Sequence, residues 1–266
     1  MSQEARAEAF AALHRGEPFV IPNPWDAGSA RVLEALGFRA LATTSSGFAF
    51  TLGRLDGGAT LDEVCAHVAA LAAATSLPVS ADLENGYGPE PEDAAEAIRR
   101  VAAAGAVGGS IEDWDPADGG RLYDPAHAAE RVAAAADAAR ALAFPFQLVG
   151  RAENHIRGNP DLEDTIARLQ AYERAGADVL YAPGLRTVEE IRAVCAAVAK
   201  PVNVLATPGL SAAEIFAAGA QRISVGGALA WVAAKALADA ATAIRDGGDL
   251  SVLGARLPLG EWLRSS

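Results

Sequence analysis

Four side chains carry most of the chemical potential of this sequence: Asp82, Glu84, Glu112 and Arg151, each closing or following a short apolar run. If those runs lie side by side, three carboxylates and a guanidinium converge on one place. Carboxylates gathered in this way repel one another unless protons or a cation intervene. They are hard oxygen donors without cysteine or histidine at matching spacing. That points to Mg2+ or Mn2+ held by Asp82, Glu84 and Glu112, with coordination positions left to water and substrate. The plainer alternative is a loop whose acids cap helices and pair with arginines. Arg151 requires an anionic partner, either a substrate carboxylate or the nearby Glu112 or Glu153. Thr44-Ser45-Ser46-Gly47 offers hydroxyls and backbone N–H groups suited to a carboxylate or an oxyanion, although the same residues would also make an ordinary polar loop. Asn203, within a later apolar run, adds an amide. Among the histidines only His155 follows closely on these residues as an acid–base candidate, whereas His14, His67 and His127 read as surface or packing groups.

A parallel sheet would bring these residues together. Eight runs read as strands: Phe19–Ile21, Ala40–Thr44, Val79–Asp82, Gly108–Glu112, Phe146–Arg151, Asp178–Ala182, Val202–Leu205 and Arg222–Val225. Most are separated by alanine-rich stretches long enough for a helix, as parallel neighbours require. The pattern predicts an α/β (β/α)8 TIM-type barrel over residues 1–249, with an N-terminal helix and a tail over 250–266. No G-x-G-x-x-G follows the first strand, which argues against an open dinucleotide-binding sheet. Thr60–Glu63, Thr187–Glu190 and Ser211–Glu214 fit capping boxes, and Ala-Gly-Ala at 104–106 and 175–177 suits helix stops. A last helix from about Ala228 to Arg245 precedes the tail. Leu253, Leu257, Leu259, Trp262 and Leu263 of the tail are too apolar to stay fully solvated and should pack on the barrel or on a neighbour. In a barrel the chemistry belongs at the C-terminal ends of the strands, where the polar residues above fall.

Composition narrows the partners. In 266 residues, 34 acids against 22 bases leave a net charge of -12, unfavourable for nucleic acid or an anionic membrane. No run is long and apolar enough to span a bilayer, and the N-terminus lacks a signal-peptide pattern, so a cytoplasmic protein is expected. Cys65 and Cys195, both in helical patterns, exclude a thiolate zinc cage or a disulfide framework within the chain and read as small buried apolar groups. Lys200 and Lys235 are the only lysines, and neither closes a predicted strand, which argues against imine chemistry.

With these residues in view, the chain resembles the isocitrate lyase/phosphoenolpyruvate mutase superfamily. Asn23-Pro-Trp-Asp-Ala27 is similar to its N-x-W-D-A opening. Ser80-Ala-Asp-Leu-Glu-Asn-Gly-Tyr-Gly88 is similar to its D-x-D-T-G-Y-G metal segment, with Glu84 in place of the second aspartate. Gly109-Ser-Ile-Glu-Asp113 matches the I-E-D step, Gly150-Arg151 the A-R-T strand, and Asn203 a strand-seven asparagine. The resemblance implies a barrel whose eighth helix is exchanged between subunits of a homo-oligomer, a dimer or tetramer. It also implies Mg2+ at Asp82 with Asp56, Glu84 and Glu112 nearby, and a 2-oxo acid carboxylate meeting Ser45, Ser46 and Gly47. Trp25, Thr44, Asp82, Arg151 and Asn203 complete the implied substrate contacts, with Arg151, Asp56 and Glu112 as catalytic groups. The departures are informative. The lyases carry a K-[KR]-C-G-H loop, whereas Trp114–Tyr123 here has no cysteine, lysine or histidine and includes the Gly119-Gly120 pair of a flexible lid. A lyase glutamate after strand six is replaced near Pro183. The reading is a Mg2+-dependent enzyme that cleaves a C–C bond of a small 2-oxo acid through an enolate-like intermediate. Two alternatives stand beside it: a 2-oxo acid-binding protein without lyase activity, and a phosphate-binding barrel using Ser224-Val-Gly-Gly227.

Overall fold

Alternation within each apolar run sends one set of side chains inward and the other outward, and eight such runs close on themselves. In the computed structural model, which describes residues 1–254 and 256–263, the strands are β1 (Phe19–Ile21), β2 (Leu41–Ala42), β3 (Val79–Asp82), β4 (Gly108–Glu112), β5 (Gln147–Arg151), β6 (Val179–Tyr181), β7 (Val202–Leu205) and β8 (Arg222–Ser224). All are parallel, in the spatial order β1-β8-β7-β6-β5-β4-β3-β2. The remaining seam closes through the Ala42 N–H on Pro22 O at 3.1 Å and Asn23 Nδ2 on Thr43 O at 2.9 Å. The expected (β/α)8 barrel is thus formed. Four strands match their expected bounds, and β2, β5, β6 and β8 are shorter by one to three residues.

Outward residues Ala81, Ile111, Leu148, Leu180, Val204 and Ile223 pack beneath the helices in the main core. Fully burying a valine or leucine here contributes on the order of 1.5–3 kcal/mol. Six of the surrounding helices are α1 (Gln3–Leu13), α2 (Ala27–Ala35), α3 (Ser45–Thr51), α4 (Leu61–Ala74), α5 (Pro91–Ala103) and α6 (Pro125–Arg140). The others are α7 (Leu162–Ala175), α8 (Val188–Ala197), α9 (Ala212–Ala217), α10 (Ala228–Gly247) and α11 (Leu259–Trp262). Capping boxes start α4, α8 and α9 as their sequences predict. Gly176 stops α7 at φ 105°, a conformation that glycine adopts without Cβ strain. Helix α1 seals the N-terminal mouth, where Ala7 and Phe10 meet Phe19, Ile21, Ala40 and Val107.

Inward residues are far more polar. Ser80, Ser110, Asn203, Arg222 and Ser224 face an axial cavity beside Val149 and Tyr181. Branched aliphatic layers usually fill such an interior, so a polar channel here is a departure with a function to explain.

The C-terminal region differs again. In α10 only Ala230 is buried, whereas Trp231, Val232 and Leu237 are exposed. Leu253, Leu257, Leu259 and Leu263 of the tail are exposed as well; Trp262 is half-buried, and Arg31 Nη1 donates to Leu263 O at 2.7 Å, holding the tail against α2. Cys65 and Cys195 are unbonded and half-buried against the core rather than fully enclosed, and burial pushes the Cys195 thiol up to about 11. Among the described residues no helix is long and apolar enough to cross a membrane.

Candidate active site

Register sets the central contact. Glu112 and Arg151 are paired residues of adjacent strands β4 and β5, so their inward side chains must meet. Arg151 Nη1 lies 3.1 Å from Glu112 Oε2 and 3.5 Å from Asp82 Oδ1, while its Nε donates to Glu153 Oε1 at 2.6 Å. Its guanidinium also lies over the Tyr181 ring at 5.2 Å. Arg157, which the sequence reading passed over, donates to Glu153 Oε2 at 2.9 Å, reaches Glu112 Oε1 at 3.5 Å and stacks on Trp114 at 4.5 Å. Its position four residues after Glu153 was the available signal.

Asp82 ends β3 with its carboxylate fixed from several sides. Its N–H donates to Thr43 Oγ1 at 2.8 Å, and its Oδ2 accepts the Ser45 N–H at 3.0 Å. Ser110 Oγ lies 3.5 Å from Oδ1. Thr44 caps α3 by accepting the Gly47 N–H at 3.3 Å. The Thr44–Gly47 run is therefore a helix start that also buttresses Asp82.

A cavity of about 230 Å³ opens between these groups, lined among others by Thr44, Ser45, Ser46, Asp56, Asp82, Arg151 and Asn203. Asn203 faces inward, its Oδ1 accepting from Arg222 Nε at 2.8 Å and its Nδ2 donating to Ser224 Oγ at 3.0 Å. A smaller adjoining cavity of about 120 Å³ shares Ser45, Asp56 and Arg151 and adds Glu84, Glu112, Trp114 and Arg157. Trp25 and Gly47, expected as substrate contacts, lie outside both linings. Trp25 instead packs against Gly47, where an added Cβ would come within 3.2 Å of Trp25 Cβ.

The expected cage of Asp82, Glu84 and Glu112 does not assemble: among the described residues no three acidic, histidine or cysteine side chains converge in a metal-holding arrangement. Two physical causes separate them. Arg151 stands between Asp82 and Glu112. Strand β3 ends at Asp82, and Glu84 takes φ 49° in the following turn, which sends its carboxylate into the adjoining cavity. That turn is fixed by Gly86, at φ 84°, where a Cβ would fall 2.9 Å from Ala94 Cα. Arg131 holds it from below, donating to Asn85 O and to Glu90 O.

Negative charge nonetheless exceeds positive charge here. Burial, then the Asp82 charge, then the Asp56 charge push Glu84 up to about 7. Burial likewise raises Glu112 well above the usual carboxylate range against the pull of Arg151. Hard oxygen donors with surplus negative charge and no closed protein cage suit an ion that keeps most of its waters, as Mg2+ does, anchored at Asp82 with Asp56 and Glu84 across the shared wall.

Other expectations resolve differently. His155 turns to Thr165, its Nδ1 lying 2.8 Å from Oγ1, and lines neither cavity. The Gly119-Gly120 segment joins the two arms of a hairpin, Trp114–Asp115 against Arg121–Leu122, and the glycines serve its positive φ angles of 89° and 88°. The Ser224–Gly227 loop has spent two N–H groups, since Val225 and Gly226 both donate to Asn23 Oδ1 at 2.9 Å. That leaves it a poor phosphate cradle and gives the Asn23 motif a structural task.

Comparison with known proteins agrees with this architecture. A crystal structure from Burkholderia cenocepacia J2315, assigned no more closely than lyase/mutase, is 52% identical and superposes with a TM-score of 0.95, covering 99% of this chain and 98% of that one. An oxaloacetate decarboxylase of Bradyrhizobium diazoefficiens is 30% identical over 253 residues, 93% of this chain and 88% of the relative. An oxaloacetate acetylhydrolase in complex with the inhibitor 3,3-difluorooxalacetate is 26% identical, with a TM-score of 0.87 over 98% of this chain and 94% of that one. The phosphoenolpyruvate phosphomutase family model matches residues 10–245, nearly the whole barrel, and the protein belongs to that family.

Proposed function

We propose that this protein is a Mg2+-dependent enzyme that cleaves a C–C bond of a small 2-oxo acid, by decarboxylation or retro-aldol cleavage. The observation that carries this reading is Arg151, held 3.1 Å from Glu112 and 3.5 Å from Asp82 at the C-terminal rim, with its guanidinium lining the cavity. When a bond beside a carbonyl breaks, negative charge develops on the carbonyl oxygen, and a preorganised guanidinium stabilises it. A divalent ion at Asp82, when bound, would supply Lewis-acid polarisation of the oxo acid. Ser45 and Ser46 line the cavity beside Asp82 and orient the substrate carboxylate, while Asn203 faces it from the opposite wall. Glu112 and Asp56 act on protons around the developing enolate. Trp114, stacked under Arg157, shields the mouth from water.

The cysteine-free loop favours decarboxylation. Loss of CO2 needs an electron sink and a later proton but no base to strip a hydroxyl, whereas retro-aldol cleavage needs that base. The oxaloacetate decarboxylases among the relatives support the same direction. The protein also acts as a homo-oligomer, in which a second copy covers Trp231, Val232 and Leu237 of α10.

The test is turnover of oxaloacetate and of 2-hydroxy-acid adducts with Mg2+ or with EDTA, in the wild type and in Asp82→Ala. Product formation that requires Mg2+ and disappears in the variant is expected. Substrate binding without turnover under every condition would instead favour the 2-oxo acid-binding reading.

A further inference from the structure

The cavity holds a second arginine in a different situation. Arg222 begins β8 and is 4% exposed, yet it lines the same cavity as Arg151. Its Nε donates to Asn203 Oδ1 at 2.8 Å, and its Nη1 lies 3.2 Å from His14 Nε2. The other ring nitrogen of His14, Nδ1, lies 2.9 Å from Phe10 O, and a carbonyl can only accept. Nδ1 therefore carries the proton, Nε2 accepts from Arg222, and the histidine is a neutral partner. Among the described residues no carboxylate pairs with Arg222, and Nη2 has no hydrogen-bond acceptor. Burial pulls its pKa down only to about 10, so it stays charged at neutral pH.

A full charge in the interior is unfavourable by several kcal/mol unless it is paired. Buried arginines are accordingly found with acids or anions. Arg222 has neither, and its free N–H groups share a cavity with the Ser80 and Ser224 hydroxyls. The whole cavity, about 230 Å³, has room for roughly seven waters at about 30 Å³ each. That is enough for a four-carbon diacid.

We propose that the deep end of the barrel cavity is a subsite for a small monoanion, with Arg222 as its cation and Ser80 and Ser224 beside it. The anion has two possible sources. One is the distal carboxylate of a dicarboxylic 2-oxo acid whose reacting end lies at Arg151, which rests on the function proposed above. The other is a free inorganic monoanion, which does not.

Two measurements separate these sources. Bromide-soaked crystals, recorded at the bromine absorption edge, report on the subsite alone; anomalous density within hydrogen-bonding reach of Arg222 is expected. Rapid-mixing tryptophan fluorescence then compares oxaloacetate with 2-oxobutyrate, which replaces the distal carboxylate by a methyl group. If the subsite takes the substrate, the wild type binds oxaloacetate at least about tenfold more tightly than 2-oxobutyrate. That preference disappears in Arg222→Met and survives in Arg222→Lys. An unchanged preference in Arg222→Met with bromide present assigns the subsite to a free anion. An unchanged preference with no bromide density overturns the proposal, and the crystal result needs no folded variant. If the wild type binds bromide but neither oxo acid, the proposed reaction fails and the subsite stands.

Discussion

Arg151 and Arg222 point into one cavity from opposite electrostatic circumstances. At the mouth, Arg151 is surrounded by Glu112, Glu153 and Asp82, so its charge is more than matched. Deeper in the barrel, the hydrogen-bond partners of Arg222 among the described residues are a neutral amide and a neutral imidazole. The contrast shows how one strand alternation yields two kinds of cationic wall. The mouth is over-supplied with acid and suits a metal and a charge-developing reaction. The interior is short of acid and suits an anion. Each arginine is held in place, but only Arg151 is balanced by the protein itself.

The largest expected effect breaks the mouth. Arg151→Met takes the nearer cation from the buried Glu112 and Glu153 and leaves them to share Arg157, which costs up to about 3–5 kcal/mol and lowers Tm by up to roughly 20 °C. It also removes the charge stabiliser, lowering kcat by about 10²–10³. Arg222→Met strands no acid, so its Tm should fall less than that of Arg151→Met; thermal unfolding followed by circular dichroism compares the two directly. Equal losses would show that Arg151 is no better paired than Arg222.

A smaller effect sharpens the view of the deep end. Burial, reinforced by the Arg222 charge, holds His14 down to about 3 from its ordinary 6.5. Because the folded value is the lower one, the neutral ring's contribution is fully present above pH 6.5 and is lost as pH falls from 6.5 toward 3. Stability should decline by at most about 1.4 kcal/mol per pH unit from this group. Urea unfolding of the wild type and His14→Gln between pH 7.5 and pH 5 (about one and a half units below 6.5) checks it. Parallel pH dependences would mean that His14 titrates normally in the fold.

The smallest effect lies in the hairpin. Gly120 sits at φ 88°, and an added Cβ would fall 2.2 Å from Trp114 Cζ2. Gly120→Ala should therefore lift Trp114 away from Arg157, costing about 1–2 kcal/mol locally. Tryptophan emission should shift, with a few-fold fall in kcat/KM and a fall in Tm of roughly 2–8 °C. Unchanged emission would show that the ring does not depend on this turn.

Much of the architecture was legible because its signals are local. Capping boxes at Thr60, Thr187 and Ser211, glycine stops at 105 and 176, and short apolar runs mark each βα unit within a few residues. The strand-end positions of Asp82 and Arg151, and the place of Asn203 within β7, were legible for the same reason, and all three line the cavity. Two carboxylates two residues apart, such as Asp82 and Glu84, share a face only while the strand continues. Here the chain turns after Asp82. Trp25 was expected from the resemblance and Gly47 also from the N–H groups of its run, and neither signal tells which side of a wall a residue occupies.

The sequence by itself determined the barrel, the acid-rich C-terminal rim and the absence of the lyase cysteine loop, since each depends on residues close together in the chain. Only the tertiary structure decided which charges meet. The Glu112–Arg151 contact follows from register between two strands, and the His14–Arg222 contact joins residues 208 positions apart. Charge balance is a property of such long-range neighbours. A single strand such as Arg222-Ile-Ser shows that a cation points inward but not whether an acid is waiting for it.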